Sequence, residues 1–327
     1  MQFVMEKSKL NNFTALRNVL SFLVVLTHFN IISGLNSSYV FFHLSGIAID
    51  MFFCVSGFLI YESVSRKKKI TIFYLKRFLR IYPLYFFVIF LQTIYIFLSS
   101  EITYDLAQYF LWNSIFFNFL APTANGVFEG LAVPAFNGSL WTLKNEVAFY
   151  LIAPFIFIYV IRYGNRVLLI AYCLSCIFSL WAVSTSIAFL VVSFPAFLKL
   201  FFAGIVISVF KNHLLFMKLP FFIFLAAFTF YMQDFYYLRH TVYPLFLGAS
   251  MFYLVFLCYR SRILNSVDFS YGMYLIHFPI FQIIIDRDLM DLSNEWHFFF
   301  LLVLILFLSI LLHFVIERPF IRIGKNF

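Results

Sequence analysis

The chain has 327 residues, 64% of them hydrophobic and 11% charged, with 51 Phe and a mean hydropathy of +0.96. Too little polar surface exists to face water, which excludes a soluble globular domain and leaves a polytopic, all-α transmembrane helical bundle. The net charge of +9 is distributed by topology, as shown below, and does not signal nucleic-acid binding.

The first apolar run, NFTALRNVLSFLVVLTHFNII, is long enough to span a bilayer and is expected to remain rather than be cleaved as a signal peptide. It carries Arg17 and His28. Eleven steps at 100° bring the two onto one helix face, roughly 16 Å apart along the axis. Ionisable groups at such depth are costly, so a functional site facing the bundle interior is the default reading. Cutting the chain at its charge clusters gives about ten spans of bilayer length. They are expected near 13–33, 41–61, 81–99, 140–161, 167–184, 187–209, 219–233, 241–258, 268–286 and 297–316.

With both termini cytoplasmic, that side collects Lys7, Lys9, Arg66, Lys67, Lys68, Lys69, Lys76, Arg77, Arg80, Arg162, Arg166, Lys211, Lys218, Arg260, Arg262, Arg318, Arg322 and Lys325, as the positive-inside rule requires. Arg239 and Arg287 fall outside, with acids such as Glu101, Asp105, Glu129, Asp234, Asp286 and Asp288, while Lys144 and Lys199 fall within spans. The chain is read as one domain, 1–327, in a bacterial inner membrane. Two soluble segments are long enough to matter. A cytoplasmic stretch, ESVSRKKKITIFYLKRFLRIYP, is basic and amphipathic. An outer one, 100–139, is expected to hold an interfacial or re-entrant helix followed by a loop. Cys54, Cys173, Cys176 and Cys258 all sit in apolar runs, so neither a disulfide framework nor a metal site is expected, and the Cys173/Cys176 pair is read as packing.

Asp50, near the middle of the second span, needs a partner to stay charged, and Arg17 and His28 are the expected ones. Ser56 and Gly57 follow it as small residues that could line a tunnel or pack helices. Glu146, after Trp141, is the other carboxylate in a span, with Lys144 and Lys199 as possible partners. In SYGMYLIHFPI, Ser270, Tyr274 and His277 recur at i, i+4, i+7 and share a face.

Six segments in order carry a resemblance: LRNVLSFLVVLTH (16–28), GIAIDMFFCVSGFLI (46–60), FYLKRFLRIYPLY (73–85), SLWTLKNEVAFYLIAP (139–154), SYGMYLIHFPI (270–280) and ERPF (317–320). Together they are similar to the acyltransferase-3 family of integral-membrane O-acyltransferases acting on O-antigen and exopolysaccharide, in its short form without an SGNH domain. That family requires an Arg-x10-His and an Arg-x-x-Arg pattern, matched here by Arg17 to His28 and Arg77 to Arg80. The resemblance implies transfer of an acyl group, most often acetyl, from cytoplasmic acetyl-CoA to a lipid-linked or surface glycan, with membrane lipids as the other partners.

Arg77 and Arg80, one turn apart, are expected to grip coenzyme A phosphates, with Ser56 and Gly57 along the donor tunnel. His28 is the catalytic base or a transient acyl acceptor, helped by Asp50, Arg17 and Glu146. Tyr274, His277 and Trp141 are expected to contact the acceptor. Two rivals remain at this stage, a secondary transporter or exporter and a noncatalytic partner in a polysaccharide assembly complex. Against the first, no repeat symmetry is seen.

Overall fold

The computed structural model describes residues 11–34, 39–65, 69–99, 103–214, 221, 225, 228, 229, 231, 232, 235–291 and 294–327. Most of the expected span 219–233 lies outside them, as do Lys7, Lys9, Arg66, Lys67, Lys68, Glu101, Lys218 and Asp234. Every regular element among the described residues is helical. In chain order they are α1 (Phe13–Ser33), α2 (Ser45–Val64), α3 (Ile70–Ser99), α4 (Tyr104–Ser114), α5 (Leu143–Tyr163), α6 (Arg166–Ser184), α7 (Ala188–Val191), α8 (Phe194–Leu214), α9 (Tyr236–Thr241), α10 (Tyr243–Phe256), α11 (Ser270–Asp286), α12 (Glu295–Leu312) and α13 (Arg318–Lys325). Short 3-10 turns occupy Val40–His43 and Gly138–Thr142, and a π turn, His313–Glu317, links α12 to α13.

Among the described residues, seven helical stretches are long and apolar enough to cross a bilayer, which makes this a polytopic helical protein. Several expected boundaries move. From Ile70 onward the basic stretch continues into the third expected span as one helix of 30 residues, α3, with Pro83 inside it. Proline removes the backbone donor that would reach the Leu79 carbonyl; two residues on, the hydroxyl of Tyr271 donates to the Ile81 carbonyl at 3.0 Å. The expected spans 241–258 and 268–286 shorten to α10, of 14 residues, and α11, of 17. The outer segment does form a helix, α4, where the Thr103 hydroxyl accepts from the Leu106 amide and Asp105 lies in the first turn.

Contacts divide the chain into two compact units, each assembled from separate segments. The first contains the residues up to Leu16, Ile49–Tyr74 and Asn145–Ser266. Here α2 and α8 approach backbone to backbone. A Cβ on Gly57 would run into the Phe201 carbonyl, and one on Gly204 into the Cys54 carbonyl. Glycines are needed at both places because close approach of two helices leaves no room for a side chain. Phe149 stacks on Phe201 (centroids 4.3 Å apart), and Glu62 ties α2 to α8 through Ser208 at 2.6 Å and Lys211 at 2.5 Å.

The second unit contains Arg17–Ala48, Leu75–Lys144 and Val267–Phe327. Its buried cluster of Ile96, Leu106, Tyr109, Ala124, Phe128 and Phe136 folds the 104–136 segment onto α3. Several polar groups around it are paired: Tyr109 donates to Gln92 at 2.8 Å, and Asn113 donates to the carbonyls of Tyr109 and Ala121. The Gln282 amide on α11 likewise donates to the Val133 and Ala135 carbonyls.

Candidate active site

In the second unit α1 and α11 bring two imidazoles together. His28 Nδ1 lies 2.8 Å from His277 Nε2, and His277 Nδ1 lies 2.9 Å from the Met273 carbonyl. The rings are 5° from parallel with centroids 5.1 Å apart. With so short an N···N distance this is an edge-to-edge, in-plane arrangement, as a straight N–H···N bond requires, and not face stacking. The proton positions then follow from the carbonyl. Met273 O can only accept, so His277 carries its proton on Nδ1; a neutral ring then has its lone pair on Nε2, and His28 must donate from Nδ1. In a neutral His28 the basic lone pair is therefore on Nε2.

Burial separates the two rings. His277 is 0% exposed and both its nitrogens are occupied, whereas His28 is only partly buried. Phe278 packs edge-on against His28 at 5.3 Å between centroids, and Gly138 makes space for it: a Cβ there would lie 2.6 Å from the Phe278 ring. Both nitrogens of His277 are thus engaged within the protein and the ring is fully buried, which gives it the position of a support for His28. Tyr274 is 8% exposed, and its hydroxyl is engaged by Thr142 and by the Ser139 carbonyl, so it too is tied into the interior. Trp141 sits in the adjoining 3-10 turn and is partly buried.

Arg17, near the start of α1, meets Asp268 at 2.8 Å and the Ser270 hydroxyl at 3.1 Å, and Ser270 donates to Asp268 at 2.7 Å. Arg80 reaches the same Asp268 oxygen at 3.5 Å. The carboxylate beside Arg17 is therefore Asp268, where the sequence pointed to Asp50. Asn18 holds the segment in place, donating to the Val267 carbonyl at 2.8 Å and accepting from the Phe269 amide at 3.2 Å. Two guanidiniums around one carboxylate leave a net positive charge at this end of α1. Arg77, one turn before Arg80 on α3, is partly buried.

Asp50, Ser56, Gly57 and Glu146 all belong to the first unit. Tyr243 donates to Asp50 at 3.0 Å. Gly57 is spent on the contact with Phe201, the helix-packing role that was the alternative to a tunnel lining; Ser56 beside it is partly buried. Glu146 accepts from Tyr150 one turn along its own helix, not from Lys144 or Lys199.

Sequence reasoning missed Asp268 and Asn18. The available signal was the need of Arg17 for an anion: Asp268 stands two residues before the SYGMYLIHFPI motif. It also missed the neighbours of Asp50, a group around Lys199 and His240 described below.

Residues 10–316 match the family described as an acyltransferase domain. Among curated proteins, the chain is 31% identical over 164 residues to nodulation protein 10 of Rhizobium leguminosarum bv. viciae, covering 44% of this chain and 43% of that protein. It is 32% identical over 152 residues to an O-acetyl transferase of Shigella phage Sf6, covering 44% and 45%. Over 111 residues it is 32% identical to the acyltransferase MdmB of Streptomyces mycarofaciens, covering 34% and 28%. The matched stretches thus span less than half of each relative's length. No solved structure matches the chain significantly. With the family match running through nearly all of the sequence, this chain belongs to the acyltransferase-3 family of membrane acyltransferases.

Proposed function

We propose that this protein transfers an acyl group, acetyl in the simplest case, from acyl-CoA to a hydroxyl of a lipid-linked or surface glycan at a bacterial inner membrane, with His28 Nε2 as the proton acceptor. The observation that carries this reading is the line from the Met273 carbonyl through His277 to His28. It fixes the tautomer of His28 and keeps Nδ1–H as a donor whether or not Nε2 is protonated. His28 takes the proton of the glycan hydroxyl as that oxygen attacks the thioester carbonyl; the C–S bond then breaks and the departing thiolate recovers the proton from His28. An acyl-His28 intermediate is the alternative route, and label retained on protein before acceptor is added separates the two.

Arg80 and Arg17 around Asp268, with Arg77 a turn away, form the cationic end expected to meet the phosphates of the donor. The orientation drawn from the basic loops puts that end in the cytoplasm and His28 toward the outer face, so donor and acceptor approach from opposite sides. In proteoliposomes supplied with labelled acetyl-CoA and a glycan acceptor, His28→Ala is expected to lose transfer by about 10²- to 10⁴-fold while still purifying as a folded protein. Unchanged transfer in that variant overturns the assignment.

A further inference from the structure

The first unit holds a cavity that the acyl-transfer chemistry above leaves unused. It is about 110 Å³ in volume and is lined by Asp50, Ser179, Lys199, Arg239, His240 and Tyr243 among apolar neighbours. Lys199, on α8, is 8% exposed, yet its ammonium makes no salt bridge among the described residues. Its hydrogen-bond partners are neutral: the Ser179 hydroxyl, and His240 Nδ1 at 2.8 Å. An ammonium has three N–H donors, so one is left.

His240 must accept at Nδ1, facing both Lys199 and Ser179 at 2.8 Å, which puts its proton on Nε2 and makes that nitrogen a second donor. Burial, together with Lys199 and Arg239, holds His240 down to about 4, so the ring is neutral at physiological pH. Arg239 lines the cavity from an exposed position. Asp50 accepts one hydrogen bond, from Tyr243, feels the charges of Lys199 and Arg239 across the cavity, and is only partly buried because it borders this space.

A buried ammonium whose nearest carboxylate, Asp50, acts on it only from beyond ion-pair distance is expensive, and a ligand that bridges the space between them relieves that cost. The cavity therefore offers cationic donors from Lys199 and Arg239 and a neutral one from His240. Its acceptor is a carboxylate, suited to a hydroxyl. Two positive groups against one negative one select an anion, while the carboxylate selects a ligand that also carries O–H groups. The volume is well below the roughly 300–1,000 Å³ of pockets that enclose a drug-sized molecule, which fits a single ring edge and not an extended arm.

We propose that this cavity binds one acidic sugar residue of the acceptor, its carboxylate or phosphate held by Lys199 and Arg239 and a hydroxyl held by Asp50. The proposal deepens the acceptor reading above and rests on it, but its test needs no turnover. Purified protein in nanodiscs is dialysed against labelled glucose, glucuronate and glucose 1-phosphate. At least one acidic sugar is expected to bind about tenfold more tightly than glucose, since a hydrogen bond to a charged group has that worth. Which acid is preferred tells a carboxylate from a phosphate source.

Lys199→Met is expected to bring the acidic sugar down to the glucose level, and Asp50→Asn to weaken all three probes. Arg239→Gln, at an exposed position where folding is not at stake, should cut the acidic preference severalfold even if the Lys199 variant does not purify as a monodisperse species. The proposal is overturned if wild-type protein binds none of the probes or all three equally, or if the acidic preference survives both cation replacements. Acidic-sugar binding without acyl transfer leaves the site standing and removes the enzymatic reading; transfer without the preference does the reverse.

Discussion

In the second unit the polar side chains buried between α1 and α11 are consumed by one another: imidazole on imidazole, imidazole on carbonyl, and two arginines on Asp268. In the first unit the polar side chains that line the cavity are only half spent, with Lys199 facing Asp50 across the cavity without a direct ion pair and Asp50 holding a single hydroxyl. The first arrangement is rigid and fixes a tautomer, as a group that must move a proton in one direction requires. The second keeps unsatisfied donors and an acceptor, which makes sense for recognition, where the missing partners arrive with the ligand. Packing also differs between the two ends of α2. Gly57 and Gly204 allow α2 and α8 to touch along the helices that carry Asp50 and Lys199, whereas Gly46, earlier on α2 and in the second unit, has nothing within 4 Å of its would-be Cβ.

The largest expected effect uses that contrast within one helix. Gly57→Ala forces a methyl group against the Phe201 backbone, which cannot rotate away, and should cost about 3 kcal/mol of stability. Gly46→Ala meets open space and should fall within about 1 kcal/mol of wild type. Thermal unfolding of the two variants in detergent checks the pair. Equal melting temperatures would mean that α2 and α8 do not pack through Gly57.

A second effect, about a hundredfold in kcat, separates orientation from mere filling in the second unit. His277→Ala removes the acceptor that holds His28 Nδ1–H, leaving the base free to turn away. His277→Gln can still accept from His28 and donate to the Met273 carbonyl, and should recover to within about tenfold of wild type. KM for the acyl donor is expected to be unchanged in both, because its phosphates are assigned to the other end of α1. A glutamine variant no better than alanine would indicate that His277 only fills space.

How much of this was legible from residues alone depends on whether the partner was local. Composition and basic loops led directly to a helical membrane protein, and the face shared by Arg17 and His28 follows from helical periodicity within one segment. The partners are not local. Asp268 is more than 250 positions from Arg17, and which carboxylate meets which arginine is decided by helix packing that no periodicity encodes. Asp50 was assigned to Arg17 and His28 because they were the nearest ionisable groups in sequence, whereas its hydrogen bond comes from Tyr243 on α10. Helical spacing puts His277 on a face with Ser270 and Tyr274, but a face does not tell a ligand contact from a buried support. That distinction required its exposure and the Met273 carbonyl.

The smallest effect belongs to His240, and its sign can be worked out from the cavity. Burial with Lys199 and Arg239 lowers its pKa from 6.5 to about 4 in the folded protein. Above pH 6.5 the ring is neutral folded or unfolded and contributes nothing to the pH dependence. Between pH 6.5 and about 4 the unfolded chain takes up a proton that the folded one refuses, so stability falls as the pH falls, and below about 4 the loss levels off. The groups around the ring on its other sides are the Ser179 hydroxyl and the Tyr236 ring, with Asp50 across the cavity. Because His240 is only half buried, water screens part of the repulsion and the loss is modest. Replacing it with glutamine, which can still accept from Lys199 but does not titrate, should flatten the fall in melting temperature between pH 7.5 and 5 relative to wild type. An identical fall in both proteins would mean that His240 is already solvated, and with it that Lys199 is less enclosed than the cavity requires.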